Sequence, residues 1–270
     1  MFLRVICTLG DLLLDVIVRL DSPITEDTDT YGRTRVGAGG QAANVAAWVV
    51  ELGGRARFVG KRARDPAGRL LAGELRDRGV ELAGPEAEAG TGTVVSLAGS
   101  DGSRTMLTDR GVSASFRPDE LDPGWLAGCE HLHVPAYSFL APPIREAALA
   151  AAELAPRISV DLSSTAALVA AGVEAFRSLL SRLGPQVVFA NEDEAELVGR
   201  LEAETVVVKR GAAGCSVRQG KDETSYPARP AEVVDTTGAG DAFAAGFLLG
   251  GPELALDAAA RCVSRMGAMP

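Results

Sequence analysis

Residues 233–250 of this 270-residue chain have the sequence VVDTTGAGDAFAAGFLLG. A strand end and a turn at 235–237 lead into the small residues 238–240, and an apolar, helix-forming run begins at Asp241. Small residues at a helix N-terminus let backbone N–H groups approach an anion, and the helix dipole adds partial positive charge there. The segment therefore predicts an anion site suited to a phosphate group that is being transferred.

Asp241 falls in the first turn of this predicted helix. A carboxylate at that position is placed to accept the proton of a substrate hydroxyl as the hydroxyl oxygen attacks the γ-phosphorus of a nucleotide. Aspartate is also a common capping residue at the start of a helix, after an ordinary glycine-rich turn. The spacing alone leaves both interpretations open.

Outward from this segment, apolar runs alternate with helix-length stretches over most of the chain. We predict strands at 3–9, 57–60, 131–135, 158–162, 187–191 and 205–209, and helices at 41–52, 66–78, 143–155 and 166–183. Strands that alternate with helices indicate βαβ units. The pattern therefore predicts an α/β fold with a parallel sheet and helices on both faces.

Two segments interrupt this alternation, at 12–36 and 92–109. In the second, the β-prone runs 93–97 and 104–108 flank Ser100-Asp101-Gly102-Ser103, which is a strong hairpin signal. We expect these two segments to pair into a small separate sheet.

Charge and composition exclude several classes of protein. The chain has 36 acidic and 27 basic residues, a formal net charge of −9, and no basic run longer than Lys61-Arg62, which argues against nucleic acid as a partner. Its four cysteines are scattered without a C-x-x-C pair, and no apolar stretch reaches the ~18 residues that a membrane helix needs. We expect a cytoplasmic protein with reduced thiols and no membrane partner.

Two nucleotide-binding motifs are absent. A dinucleotide-dependent oxidoreductase would carry G-x-G-x-x-G after the first strand, but here Gly10 is followed by Asp-Leu-Leu-Leu-Asp. A Walker-type NTPase would carry G-x-x-x-x-G-K-[ST], and the chain has no such segment.

Two motifs together resemble the paired signatures of the ribokinase-like, or PfkB-type, carbohydrate kinase family. They are GGQAANVA at 39–46 and DTTGAGDAF at 235–243, in the family's order and about 200 residues apart. The resemblance extends over nearly the whole chain. It implies an α/β kinase domain at 1–11, 38–91 and 110–270, with a β-sheet lid at 12–37 and 92–109 through which two copies of the chain could form a homodimer.

The same resemblance implies roles for individual residues. Asp241 would be the catalytic base, and the backbone of Gly238, Ala239 and Gly240 would form the anion hole. The residues implied for substrate binding are Asp15, Asp11, Gly39, Gly40, Asn44 and Arg110. The substrate would be a sugar, or a nucleoside if the chain is a nucleoside kinase of the same family.

On the nucleotide side, ATP and Mg²⁺ are the implied cofactors. Asn191 and Glu194 resemble the family's N-x-x-E element, in which Glu194 would act on Mg²⁺ through water. Lys209, Gly211 and Gly214 match the nucleotide-side segment that follows a core strand. Asp235 and Thr237 match positions that bind K⁺ in some members. The chain ends at Pro270, where relatives usually continue through another helix, so we expect either a thin wall at the adenine pocket or a natural chain longer than this sequence.

Several of these residues have simpler interpretations. Lys209 could be a solvated strand end, and the acidic run 192–196 an ordinary helix start. Ser163 replaces the Asn of an Asp-x-Asn element found in fructokinase-like and ketogluconate-kinase-like relatives, which argues against a hexose or ketogluconate substrate. A catalytically inactive relative that only binds sugar or nucleotide is a further alternative.

His131 and His133 would face the same side of a strand. A metal site needs further ligands that nothing nearby supplies, so ordinary strand histidines are the preferred interpretation.

Overall fold

The computed structural model describes residues 5–98 and 104–270, so the turn predicted at 100–103 lies outside the described residues. The strands are β1 (Val5–Leu9), β2 (Leu13–Leu20), β3 (Gly32–Gly39), β4 (Arg55–Val59), β5 (Arg62–Ala63), β6 (Glu81–Ala83), β7 (Glu86–Ala87), β8 (Thr91–Ala98), β9 (Arg104–Gly111), β10 (Cys129–Pro135), β11 (Ile158–Asp161), β12 (Val187–Asn191), β13 (Thr205–Lys209), β14 (Cys215–Gln219) and β15 (Asp222–Tyr226). The helices are α1 (Gln41–Glu51), α2 (Pro66–Asp77), α3 (Tyr137–Leu140), α4 (Ile144–Leu154), α5 (Thr165–Ala171), α6 (Val173–Leu183), α7 (Glu192–Val198) and α8 (Ala239–Val263).

A nine-stranded sheet forms the centre of the molecule, with strand order β15-β14-β13-β12-β11-β10-β1-β4-β6. The strands from β13 through β6 pair in parallel, while β14 and β15 add an antiparallel hairpin at one edge. One apolar core contains buried residues of α1, α2 and α8, and a second contains those of α4, α5 and α6. Because apolar side chains cover both faces of the sheet, its parallel strands are almost wholly buried.

A separate four-stranded sheet, in the order β3-β2-β8-β9, forms from the two segments that interrupt the alternation. On one of its faces Val16 lies beside Val36 and Val95, and Val95 lies beside Leu107. Val36 and Leu107 are 51% and 55% exposed, so this face carries an apolar stripe. The division into kinase domain and lid, and a homodimer through the lid, stay predictions.

The prediction of one helix at 166–183 is wrong. Gly172 separates α5 from α6, with φ 93° and ψ 103°, which is a backbone conformation that favours glycine. Its amide N donates to the carbonyl O of Val169, and its own carbonyl O accepts from the amide N of Phe176. The residue therefore ends one helix and begins the next.

By length and composition alone, α8 is long and apolar enough to cross a membrane. Its first half is largely buried in the core, and the helical path breaks at Gly251, just before Pro252. The helix is thus part of the core, and a cytoplasmic location stays a prediction.

Candidate active site

A cavity of about 520 Å³ lies between the ends of the parallel strands, the start of α8 and the small sheet. This position follows from the topology, because the carboxyl ends of parallel strands share one edge of a sheet and ligands bind there. The predicted site residues that line it are Asp11, Asp15, Gly40, Asn44, Arg110, Asn191, Glu194, Lys209, Thr237, Gly238, Gly240 and Asp241. Residues from opposite ends of the sequence therefore meet in one space.

Asp241 projects into this cavity from the first turn of α8. Its Oδ2 accepts a hydrogen bond of 2.7 Å from Nδ2 of Asn44 on α1. The N-cap of α8 is Gly238, and no side-chain hydrogen bond caps the helix, so the capping interpretation of Asp241 does not hold. Burial raises the pKa of Asp241 to about 7, although the Asn44 hydrogen bond and the positive charge of Lys209 oppose the rise. A carboxyl group with such a pKa can take up a proton near neutral pH.

The backbone at the start of α8 is shaped by glycine. Gly238 has φ 76°, and a Cβ there would lie 2.5 Å from Cα of Ala268. The amide N of Ala239 donates to the carbonyl O of Thr236, and Ala239 is not among the cavity-lining residues. Gly240 lines the cavity, and its N–H is one of the first-turn donors that have no partner within a helix. The anion hole at Gly238, Ala239 and Gly240 stays a prediction.

An ion pair lies directly above this helix terminus. Nζ of Lys209, at the end of β13, is 2.6 Å from Oδ2 of Asp161, at the end of β11. The same Nζ lies 3.2 Å from the place a Cβ of Gly240 would occupy. Burial tends to lower the pKa of Lys209, but the contact with Asp161 raises it above its ordinary value, so the ammonium stays charged. Lys209 is thus not a solvated strand end.

A second ion pair joins β9 of the small sheet to the loop between β1 and β2. Nε and Nη2 of Arg110 donate to the two carboxylate oxygens of Asp11 at 2.7 and 2.8 Å, and Nη1 donates to the carbonyl O of Tyr137 at 3.0 Å. A fork-on-carboxylate geometry is strong and directional. Arg110 therefore contacts the cavity with its positive charge already matched by Asp11.

Two glycines make room for the predicted substrate-binding aspartates. A Cβ on Gly39 would lie 2.4 Å from Cγ of Asp15, so the Asp15 carboxyl group rests directly on the Gly39 backbone. Gly40 has φ 98°, and a Cβ there would lie 2.4 Å from the carbonyl O of Asp11. Neither position accepts a larger residue without displacing an aspartate or its backbone.

Asn191 and Glu194 form a capping box at the start of α7. Oδ1 of Asn191 accepts from the amide N of Glu194, and Oε2 of Glu194 accepts from the amide N of Asn191, both at 2.8 Å. Glu194 is only 3% exposed, and burial raises its pKa. The pair therefore begins the helix and also presents oxygen atoms to the cavity.

These oxygen donors fit Mg²⁺, which prefers oxygen ligands and usually keeps several waters beside one or two carboxylates. Among the described residues, no group of three His, Cys, Asp or Glu side chains is arranged as a metal cage. The cavity is lined by more acidic than basic side chains, which gives it an excess of negative charge that such a cation would balance. The five carboxyl groups are those of Asp11, Asp15, Asp161, Glu194 and Asp241, and the two basic side chains are those of Arg110 and Lys209.

Known proteins resemble this chain over nearly its whole length. Residues 4–269 match the sequence model of the pfkB family carbohydrate kinases. The chain belongs to this family. It is 32% identical over 270 residues to the ATP-dependent ribose-1-phosphate kinase of Halopiger xanaduensis, covering 94% of this chain and 88% of that protein. It is 31% identical over 269 residues to the fructokinase of Klebsiella pneumoniae, covering 91% and 83%.

Among solved structures, the adenosine kinase of Sinorhizobium meliloti superposes with a TM-score of 0.89 at 26% identity, covering 99% of this chain and 96% of that one. The predicted ribokinase-like fold, with its mostly parallel sheet and small second sheet, is therefore confirmed. The predicted enzyme class, carbohydrate kinase, is confirmed as well.

Four other predicted residues of this carbohydrate kinase do not line the cavity. Gly211 and Gly214 flank a single turn after β13, where a Cβ on Gly214 would lie 2.0 Å from the carbonyl O of Tyr226. Gly39 packs against the Asp15 carboxyl group, and Asp235 lies in the loop before α8. Their roles in binding stay predictions.

Asp235 ties that loop together. Its Oδ1 accepts from the amide N and Oγ1 of Thr237, at 2.9 and 2.5 Å, and its Oδ2 accepts from the amide N of Gly267 at 2.9 Å. A carboxylate and a hydroxyl next to the start of α8 are the kind of oxygen donors that hard cations prefer. The oxygen atoms of Asp235 and Thr237 are therefore of the type that the predicted K⁺ site needs.

Sequence reasoning did not include Asp161 and Tyr137 among the site residues, although both line the cavity. A signal for Asp161 was present, because it lies near the end of the strand predicted at 158–162, at the edge where the other site residues gather. His131 and His133 lie elsewhere, buried on β10, where Nδ1 of His133 is 2.9 Å from Oγ of Ser159. Burial lowers their pKa values to about 3 and about 4, so both rings are neutral near pH 7.

Proposed function

We propose that this kinase transfers the γ-phosphoryl group of ATP to a primary hydroxyl of a neutral sugar, with Asp241 as the general base. The carboxyl group takes the hydroxyl proton, the acceptor oxygen forms the new bond to phosphorus, and the bond to the β-phosphate oxygen breaks with its electron pair leaving on ADP. The observation that carries the proposal is the buried Asp241 carboxyl group, whose pKa is about 7, in the same cavity as the N-terminus of α8.

Chain residues supply the positioning. The Gly240 amide and the Lys209 ammonium, which lie next to each other at the start of α8, would donate to the phosphoryl group, and Asn44 holds the Asp241 carboxylate through a hydrogen bond. Mg²⁺, when bound with the nucleotide near Asn191 and Glu194, would offset phosphate charge. Phosphoryl transfer depends mainly on such positioning and charge neutralisation, and these residues are of the types that supply both.

Charge at the acceptor end supports a neutral substrate. Arg110 is paired with Asp11 through two hydrogen bonds and also donates to the carbonyl O of Tyr137. Asp15 and Asp241 add negative charge nearby. An acceptor with its own phosphate or carboxylate would bring a further negative charge to a site whose arginine is already neutralised. Hydroxyl groups, in contrast, can donate to these carboxylates.

A nucleoside is the second candidate acceptor. Leu13, Val94 and Met106 from the small sheet line the cavity, and they offer an apolar surface to a flat base. The structural similarity to an adenosine kinase favours the same possibility. Both candidates share the reaction, the proposed base and the neutral acceptor.

The first prediction concerns acceptor class. With Mg-ATP and K⁺, ADP release is expected with at least one neutral sugar or nucleoside and not with sugar phosphates or ketogluconate. In the Asp11→Asn variant the Arg110 guanidinium loses its counter-charge, so the rate with anionic acceptors should rise relative to neutral ones by ~10-fold or more, since hydrogen bonds to charged groups contribute ~1.5–3 kcal/mol. Coupled-enzyme assays over this panel measure both effects.

The matched control is Asp21→Asn, an exposed residue in the loop after β2, which should leave the preference unchanged. A wild-type enzyme that prefers sugar phosphates would contradict the neutral-acceptor proposal. No acceptor-dependent ADP release with any compound, in a protein that binds ATP, would instead favour an inactive binding relative.

The second prediction concerns the monovalent cation. If K⁺ binds beside Asp235 and Thr237, in the loop that leads to Gly238, replacing Na⁺ by K⁺ at constant ionic strength should raise turnover. Asp235→Asn should remove most of that difference, because the carboxylate charge is lost. Equal rates in the two salts would remove K⁺ from the account.

A further inference from the structure

The Asp161–Lys209 ion pair joins two strand ends that the sequence separates by 48 residues. Asp161 is 1% exposed, and the Lys209 side chain is 18% exposed, so the pair is largely shielded from solvent on the floor of the cavity. Besides Asp161 on β11, the charged groups around Lys209 are Glu194 on α7 and Asp241 on α8. The ammonium thus lies among three carboxyl groups and next to the helix terminus where the phosphoryl group is proposed to bind.

Asp161 is held firmly, whereas Lys209 has a long flexible stem. Oδ1 of Asp161 accepts from the amide N of Ser163 at 3.0 Å, and Oγ of Ser163 donates back to the carbonyl O of Asp161 at 2.9 Å. Ser163 has φ 69°, a left-handed conformation that is uncommon for residues other than glycine, asparagine and aspartate. The amide N of Ala136 also donates to Oγ of Ser163, so this turn is fixed from both sides.

We propose that Asp161 is a positioning residue that holds Lys209 beside the start of α8, and that Lys209 turns from Asp161 onto the transferring phosphoryl group. The inference rests on the proposed function, because it assigns the partner of a side chain within that site. The geometry carries it: the ammonium is 2.6 Å from Asp161 and 3.2 Å from the Cβ position of Gly240, which is closer than an ordinary van der Waals contact. A glycine at 240 leaves the space through which the ammonium reaches the anion site.

Such a contact strengthens catalysis only if it is stronger in the transition state than in the ground state. In the ground state Lys209 already has Asp161 as its partner, so moving to a bound phosphate gains little. As negative charge shifts onto the oxygens of the transferring group and the leaving ADP, the gain increases. We therefore expect Lys209 to affect kcat more than nucleotide affinity.

The third prediction tests this with a double-mutant cycle. Lys209→Met should lower kcat by ~10²-fold, the usual effect of removing one donor to a developing oxyanion, while the affinity for ADP measured by calorimetry changes less than about twofold. Asp161→Asn should lower kcat by ~10-fold, because Lys209 loses its preset position. Adding Asp161→Asn to Lys209→Met should cause little further loss, since Asp161 acts through Lys209.

A pH profile gives a readout that a purely structural role would not move. The Asp161 charge raises the pKa of Asp241 and the Lys209 charge lowers it. The acid limb of kcat/KM should therefore move to lower pH in Asp161→Asn and to higher pH in Lys209→Met. The double variant carries neither charge, so it avoids a buried unpaired ion and should fold even where a single variant does not.

Lys221→Met and Asp222→Asn serve as matched controls, because both residues are exposed at the β14–β15 turn. Losses that simply multiply in the double variant, or acid limbs that move in the same direction, would overturn the inference. The Asp241→Asn variant distinguishes a failure of the proposed function from a failure of the role proposed for Lys209. If that variant loses turnover while Lys209→Met keeps the wild-type kcat, the proposed function stands and this inference fails.

Discussion

Replacing Asp241 by asparagine is expected to lower turnover by ~10²–10⁴-fold, the range typical for loss of a general base. The substitution nearly keeps the shape of the side chain and its hydrogen bond with Asn44, so the affinity for ATP should change little. In the wild-type enzyme the rate should fall on the acid side of about pH 7, where the carboxyl group, whose pKa burial raises to about 7, takes up a proton. Steady-state rates and ATP calorimetry on both proteins measure these effects.

The same substitution should stabilise the fold above neutral pH. Because the pKa of Asp241 is raised from 3.8 to about 7 in the folded state, the folded protein binds this proton more tightly than the unfolded chain does. The ionised group therefore destabilises the folded state increasingly as pH rises from 3.8 to about 7, and above that the full penalty is present. At ~1.4 kcal/mol per pKa unit, removing it is worth on the order of a few kcal/mol.

Urea unfolding at pH 8 and pH 5 checks this sign. The gain of Asp241→Asn over wild type should be larger at pH 8 and should shrink at pH 5. Asp222→Asn, at an exposed position, should change neither the free energy of unfolding nor the turnover. A buried residue that is catalytically important but destabilising is typical of a site in which stability is traded for activity.

Replacing Asp15 by alanine is expected to lower kcat/KM for the acceptor by ~10²-fold or more, because two hydroxyl hydrogen bonds to a carboxylate contribute ~1.5–3 kcal/mol each. The KM for ATP should remain near its wild-type value. Gly39→Ala should produce a similar loss through a different cause, since a Cβ there would lie 2.4 Å from Cγ of Asp15 and push the carboxyl group away. Acceptor titrations at saturating ATP measure both variants.

Asp21→Ala is the matched control for Asp15→Ala, because Asp21 is exposed in the loop after β2. Unchanged acceptor kinetics in Asp15→Ala would remove Asp15 from the binding site. A loss in Asp15→Ala without any loss in Gly39→Ala would mean that the carboxyl group does not need its position over the Gly39 backbone.

The main sheet could be predicted from sequence because its parallel strands are buried on both faces. Strands such as β12 and β13 are short apolar runs with helix-length segments between them, and the observed bounds of both match those predicted. The antiparallel hairpin β14–β15 was not predicted, because β15 is polar and exposed and carries no core signal. The break at Gly172 was missed because apolar and alanine-rich helical sequence continues on both sides of it.

Parts of the candidate site could be predicted for a different reason. Gly238, Gly240 and Asp241 lie within four consecutive residues, so their shared helix start is visible in the sequence itself. The pairing of Asp11 with Arg110 joins residues 99 positions apart, and that of Asp161 with Lys209 joins residues 48 apart. Such pairings depend on strand order and on where the small sheet lies, and no local pattern encodes either.

The most direct test of the account is to follow product formation by ³¹P NMR with Mg-ATP, K⁺ and the best neutral acceptor, for the wild-type enzyme beside Asp241→Asn. We predict one phosphate monoester of the acceptor for each ADP formed by the wild type, and almost none from an Asp241→Asn variant that still binds ATP in calorimetry. Monoester formed by Asp241→Asn at the wild-type rate would contradict the central role given to this carboxyl group.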